Sequence, residues 1–152
     1  EECVTFTWDS MRAKDPTFGV TIQRDFAATT GKVQLNPSSM SQVILNIINN
    51  AVYAMKAKKS AVGSGYQPEL RITTRDLGSQ AEVRIRDNGP GIPKKYLEKI
   101  FEPFFTTKPT GEGTGLGLSL SHDIIVGMHK GELQVETSDG EFTEFIILLP
   151  KN

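Results

Sequence analysis

The chain carries a single cysteine, Cys3, among 152 residues. No intrachain disulfide can form and no cysteine-based metal site exists, a usage that fits a reducing, cytoplasmic setting. Long apolar runs are missing too. None approaches the roughly 18 residues needed to cross a bilayer, and the N-terminus lacks the charged-then-apolar layout of a signal peptide. Nor is there a block of one charge: 17 basic residues against 18 acidic ones leave a net −1, with no electrostatic footprint for nucleic acid or an anionic membrane. The densest basic feature, Lys56, Lys58 and Lys59, reads as a solvated helix end. Histidine is scarce. His122 and His129 lie seven apart with no carboxylate or cysteine at metal-ligand spacing, so both read as core or surface residues.

What is present suffices for one globular domain over residues 1–152: a 38% hydrophobic chain of this length builds a single core and is too short for two comfortable ones. The opening Glu1-Glu2, without a methionine, suggests a piece of a longer protein whose sensor, membrane or dimerisation regions lie elsewhere.

Two β-rich stretches, Val4–Thr7 and Val20–Asp25, flank a polar segment, Asp9–Phe18, with room for a short helix. Val33–Leu35 suggests a third short strand. Asn36-Pro37-Ser38-Ser39 then offers a helix start. Met40, Val43, Ile44, Ile47, Ile48, Ala51, Val52 and Met55 follow at three- and four-residue spacing, which predicts a helix to about Lys58. After a Gly/Ser/Pro loop over Ala61–Pro68, Glu69–Leu77 and Gln80–Asp87 alternate polar and apolar residues and form a hairpin across Gly78-Ser79. Residues 90–115 show little periodicity beyond Tyr96–Phe101 and read as a long functional loop. Leu116–Met128 is helical, broken at Gly127. Glu132–Thr137 and Phe142–Leu149 close the chain as strands joined by Ser138-Asp139-Gly140.

Three segments carry chemistry. On the long helix Gln42, Asn46, Asn50 and Tyr53 share one face opposite the apolar stripe. A solvent-facing stripe is the plain reading, but asparagine is a poor helix former and three occur here, Asn46, Asn49 and Asn50. A neutral amide oxygen ligates Mg²⁺ without repelling a phosphate. Next, Asp87-Asn88-Gly89-Pro90-Gly91 ends a half-buried strand. A structural turn alone explains Asn-Gly-Pro-Gly, yet the carboxylate needs partners, and an exocyclic amine such as adenine N6 is one. Third, Gly111-Glu112-Gly113-Thr114-Gly115-Leu116-Gly117-Leu118 opens into a helix, where backbone N–H groups can meet an anion. It follows no strand directly and lacks the Gly-Lys-Ser/Thr of a P-loop.

Taken in order, QVILNIINNA (42–51), DNGPGIP (87–93), IFEPFFTTK (100–108) and GTGLGLS (113–119) resemble the N box, first glycine box, F box and second glycine box of histidine kinase catalytic domains. The resemblance covers Val33–Pro150, with wording closest to the nitrogen-regulator-like subgroup. It implies a Bergerat-type α/β sandwich, a mixed sheet of five or so strands backed by about three helices, with ATP held under a lid loop. It further implies Asn50 as the principal Mg²⁺ ligand with Asn46 assisting, and Asp87 on adenine N6. Gly89, Gly91 and Ile92 would shape the base pocket. Gly113, Thr114, Gly115, Leu116 and Gly117 would form the lid beside the phosphates. Phe101, Phe104 and Phe105 would anchor the lid by burying aromatic surface, with Phe104, Thr107 and Tyr53 also near the nucleotide and Lys108 reaching the phosphates.

Two departures stand out. Many members of the family carry a lysine three residues after the principal asparagine, where this chain has Tyr53, so phosphate neutralisation would fall to Lys56 or Lys108. In related ATPases a glutamate four residues before that asparagine activates water; here it is Asn46, which is no general base at neutral pH. That favours transfer to a histidine over hydrolysis. Neither His122 nor His129 is followed by the Glu-x-x-Asn/Thr-Pro pattern of an acceptor helix, so the resemblance implies an acceptor on a separate dimerisation domain and onward relay to a response regulator. A superfamily ATPase and a non-catalytic nucleotide-binding scaffold are the alternatives.

Overall fold

The computed structural model describes residues 9, 19–28, 31–109, 111, 113 and 115–151. The expected strand Val4–Thr7 and nearly all of the expected helix over Asp9–Phe18 lie outside these residues, as does Thr114.

A mixed five-stranded sheet forms the frame. Strands β1 (Thr21–Phe26), β2 (Glu69–Asp76), β3 (Gln80–Asp87), β4 (Glu132–Ser138) and β5 (Phe142–Pro150) lie in the order β1-β2-β3-β5-β4. β1 runs parallel to β2 and every other pair is antiparallel. The long helix α1 (Pro37–Val62) starts where the sequence says it should: Asn36 Oδ1 accepts from the Ser39 N–H at 3.0 Å, with Pro37 at the first helical position. It runs one turn past the expected end and is followed by a 3₁₀ turn, Gly63–Gly65. The expected strand at Val33–Leu35 is not formed; residues 31–36 are irregular chain leading into the Asn36 cap.

The second helix, α2 (Gly117–His122), widens into a π-helical turn over Asp123–Met128. The break expected at Gly127 is absent, because the His129 N–H reaches back to the Ile124 carbonyl and carries the chain through the glycine. His129 also accepts the Asn36 N–H on Nε2 at 3.0 Å, so Nδ1 carries the proton and donates to the Ile124 carbonyl. This histidine ties the start of α1 to the end of α2. His122 packs its ring on Phe101 at 5.5 Å.

The core lies between α1 and one sheet face, with Val43, Ile47, Ile48 and Met55 fully buried against Leu70, Ile72, Ile85 and Ile147. On the other face Arg84 bridges Glu82 and Glu144. Period-3.6 and period-2 apolar positions therefore meet in one layer boundary. The opposite flank of α1 stays uncovered by the sheet, and there the polar stripe faces a cavity.

Candidate functional site

The cavity, of about 700 Å³, opens between α1, the Asp87–Ile92 turn and residues 104–117. From α1 it takes Asn46, Asn49, Asn50 and Tyr53; Gln42, one turn earlier, is exposed and lies outside it. Asp87, Gly91, Ile92, Thr107, Lys108, Gly113, Gly115 and Gly117 also line it. Four boxes spread over some 70 residues of sequence thus share one wall.

At the closed end sits Asp87, the last residue of β3 and 4% exposed. Its Oδ1 accepts the Gly89 N–H at 2.9 Å. Burial pushes this carboxyl up to about 6, against the Gly89 hydrogen bond and the positive charge of Lys58, which both pull it down. Gly89 contacts Asp87 and Ala54 rather than the cavity itself. Gly91 has φ +76°, and a Cβ there would meet the Ser138 carbonyl oxygen at 2.5 Å, so only glycine fits. The turn is fastened by Ile92 N–H to Thr137 Oγ1 at 2.8 Å and by Gly140 N–H to the Pro90 carbonyl at 2.7 Å.

At the other end Asn50 Oδ1 accepts from the Lys108 ammonium at 3.3 Å, and that ammonium lies 4.7 Å from the Tyr53 ring centroid. A cation therefore already stands beside Asn50. Asn46 turns its amide nitrogen onto the Gly117 carbonyl (3.1 Å) and Ser121 Oγ (3.3 Å), which ties α1 to the start of α2. The Phe104 N–H bonds the Gly115 carbonyl at 2.8 Å; a Cβ at Gly115, where φ is +71°, would collide with the Phe104 backbone.

The expected burial of all three phenylalanines needs correction. Phe101 packs on His122 and Phe145, and Phe105 on Tyr96, but Phe104 is 74% exposed at φ +67°. Its backbone, not its ring, holds this segment, and the left-handed conformation turns the side chain outward. Phe104 and Leu116 lie outside the cavity wall.

The family of histidine kinase-, DNA gyrase B- and HSP90-like ATPases matches residues 35–152. The chain belongs to this family. Its curated relatives include the sensor histidine kinase ZraS of Escherichia coli O157:H7, 37% identical over 86% of this chain and 26% of that protein. Another is the signal transduction histidine-protein kinase AtoS of Escherichia coli K12, 39% identical over 90% of this chain and 21% of that protein. The chain spans about a quarter of the length of such relatives. Among solved structures, the nucleotide-free catalytic domain of the histidine kinase ThkA superposes with TM-score 0.80 at 29% identity, covering 99% of this chain and 92% of that one. ThkA has also been solved in complex with the response regulator TrrA (TM-score 0.76, 26% identity, 99% of this chain, 40% of that one). The expected α/β sandwich of a histidine kinase catalytic domain is therefore the fold observed, with two helices among the described residues.

In this kinase-type domain several residues at the site escaped the sequence reading. Lys58 is more than a solvated helix end: its ammonium donates to the Asn88, Gly89 and Gly140 carbonyls at 3.1, 3.4 and 2.8 Å. A signal existed, since Gln42, Asn46, Asn50, Ala54 and Lys58 continue one four-residue series. Lys59 likewise donates to the Tyr66 carbonyl. Thr137 and Thr143, on neighbouring strands, had no local signal; their role comes from cross-strand register beside Asp87.

Proposed function

We propose that the chain is the Mg-ATP-binding catalytic domain of a two-component sensor histidine kinase. It transfers the γ-phosphoryl of ATP to a histidine on a separate dimerisation domain, from which a response regulator receiver takes it. The observation that carries the reading is the polarity of the cavity: one buried carboxylate, Asp87, at the closed end, and an asparagine paired with a lysine, Asn50 and Lys108, at the open end. An adenine amine suits the first and a metal-phosphate unit the second.

The donor set fits Mg²⁺ as a substrate-bound ion. Among the described residues no three His, Cys, Asp or Glu side chains cluster, so an ion here depends on amide oxygen, phosphates and water, which is how Mg²⁺ is usually held. Asn50 would supply the amide oxygen, the same atom that accepts from the Lys108 ammonium here. Held there with the nucleotide, Mg²⁺ would supply positive charge against the charge that develops on transfer. Lys108, seated over Tyr53, then supplies the phosphate-facing charge for which many relatives use a lysine at position 53. Asn46, anchored on Gly117 and Ser121, holds the lid's helix in place and assists Asn50. With an amide at position 46 the site has no base there for water. The imidazole of an acceptor histidine needs none, being nucleophilic at neutral pH. Gly113, Gly115 and Gly117 face the phosphates, and Ile92 and Thr107 border the nucleotide. Among the described residues no helix is long and apolar enough to cross a membrane.

The test combines the chain with a fragment bearing an acceptor histidine and γ-labelled ATP, with Asn50→Ala as control. Acid-labile label on histidine, lost in the control, is the expected result. Steady phosphate release without acceptor indicates an ATPase, and nucleotide binding with neither outcome indicates a scaffold. Absence of Mg-ATP binding by calorimetry overturns the pocket assignment.

A further inference from the structure

Lys58 does not line the cavity, yet its ammonium is held by three backbone carbonyls beside it. It sits two turns beyond Asn50 on α1 and donates to three backbone carbonyls on two separate turns, Asn88 and Gly89 on one and Gly140 on the other. It also lies 4.7 Å from the Tyr66 ring centroid. Tyr66 in turn donates its hydroxyl to Asn88 Oδ1 at 3.0 Å, and Asn88 Oδ1 accepts the Glu69 N–H. The turn that follows Asp87 is thus gripped from α1, from β2 and from the β4–β5 connection.

Three neutral carbonyls do not need a full charge. An asparagine or glutamine side chain offers N–H donors at less desolvation cost. What the ammonium adds is a positive charge beside the buried carboxylate. We propose that Lys58 is a positioning residue for base selection: it locks the Asn88–Gly89 turn to the Gly140 turn and sets its positive charge beside the carboxylate that Gly89 holds, so that Asp87 accepts from a 6-amino purine and disfavours a 6-keto one. The assignment presupposes that the cavity takes a nucleotide.

The chemistry behind the selection is simple. An ionised carboxylate accepts only, which matches the N–H of an amino group and repels a keto oxygen; once protonated, the same group donates to the keto oxygen and the distinction is lost. The titratable groups bearing on Asp87 are few. Lys58 comes from α1 and Tyr66 from the segment after it, while the facing positions on β5 and β2 are Thr143 and Leu70. Tyr66 is pushed up to about 12, chiefly by burial and then by Asp87 itself, so it stays neutral across the working range and, among the described residues, Lys58 supplies the charge. Because burial has moved the Asp87 carboxyl up to about 6, loss of the neighbouring charge moves its titration toward neutral pH.

The experiment measures Mg-ATP and Mg-ITP affinity by calorimetry between about pH 5 and about pH 8 for the wild-type chain, Lys58→Met, Lys58→Gln and Lys58→Arg. The Asp87 carboxyl is followed by NMR in each nucleotide-free chain. Wild type should prefer ATP by about tenfold or more at the alkaline end, with the preference fading as Asp87 protonates. In Lys58→Met the fading moves to higher pH, together with the NMR titration. Lys58→Gln, which retains N–H donors, should show the same displacement, and Lys58→Arg should restore the wild-type profile. If Lys58→Met fails to fold, Lys58→Gln decides alone.

An unchanged Asp87 titration, an equal loss of ATP and ITP affinity at every pH, or no recovery with arginine overturns the role of Lys58 while normal wild-type binding leaves the nucleotide reading intact. Failure of the wild-type chain to bind either nucleotide overturns both.

Discussion

The two ends of the cavity are built on different principles. At the Asp87 end the backbone is fixed from several directions: Ile92 on Thr137, Gly140 on Pro90, Lys58 on three carbonyls, and Gly91 pressed against Ser138. At the lid end, Lys108 meets Asn50 and Asn46 meets Gly117, while the Phe104–Gly115 bond joins two stretches of the lid to each other. Base recognition needs a preformed surface that does not move. On the proposed reading, phosphate handling needs a segment that can exchange partners, and the Lys108–Asn50 bond is one that a metal ion would replace. The difference is between a site that stores its cost in the fold and one that defers it to binding.

The largest expected effect tests that stored cost. Burial holds the Asp87 carboxyl at about 6 rather than 3.8. A group raised in the folded state contributes stability below its unfolded value and loses it as pH rises through the folded one, so the nucleotide-free domain should lose about 3 kcal/mol between about pH 4 and about pH 8. Asp87→Asn removes that loss. Denaturant unfolding should find the substituted chain more stable by up to about 3 kcal/mol at about pH 8 and indistinguishable at about pH 4, while its ATP affinity drops by more than about tenfold. Equal stability at the alkaline end would show that the carboxylate is well solvated.

Gly91→Ala attacks the rigid end directly. With φ at +76° and a carbonyl oxygen at 2.5 Å from the added Cβ, folding should cost about 2 kcal/mol or more, read as a fall in denaturation midpoint. Gly115→Ala puts a comparable local clash into the lid. Here the expected loss is in nucleotide affinity, about tenfold, with stability lowered by less than about 1 kcal/mol. Equal destabilisation by the two substitutions would erase the distinction between the ends. The smallest effect belongs to Tyr53→Leu, which removes the ring under Lys108: calorimetry should show ATP binding weakened by about 0.5–1 kcal/mol and ADP binding less so, with stability unchanged.

The fold was largely legible along the chain. The α1 stripe from Met40 to Met55, the Asn36 cap and the alternation in β2 and β3 are short-range patterns, and each appears in the structure within a turn of its expected place. Errors fell where context outweighs propensity. Val33–Leu35 has β-forming residues yet runs as irregular chain into the Asn36 cap, and Gly127 continues a helix because a π-type bond spans it. The lysines at the end of α1 illustrate the same limit: Lys58 and Lys59 look alike in sequence, yet the carbonyls they reach belong to segments 7 to 82 positions away.

Sequence by itself determined which chemistry is available: asparagines on one helical face, a carboxylate ending a strand, glycines where the backbone must approach or turn, and an amide rather than an acid at position 46. Those properties belong to residue types and to spacings of three, four or two, which the chain enforces locally. Only the tertiary structure decided that Lys108 stands on Asn50 over Tyr53, that Phe104 turns outward, and that Lys58 clamps the turn after Asp87. Each of these rests on partners brought together by sheet order and loop path, and no local pattern encodes which distant carbonyl or ring a long side chain will meet.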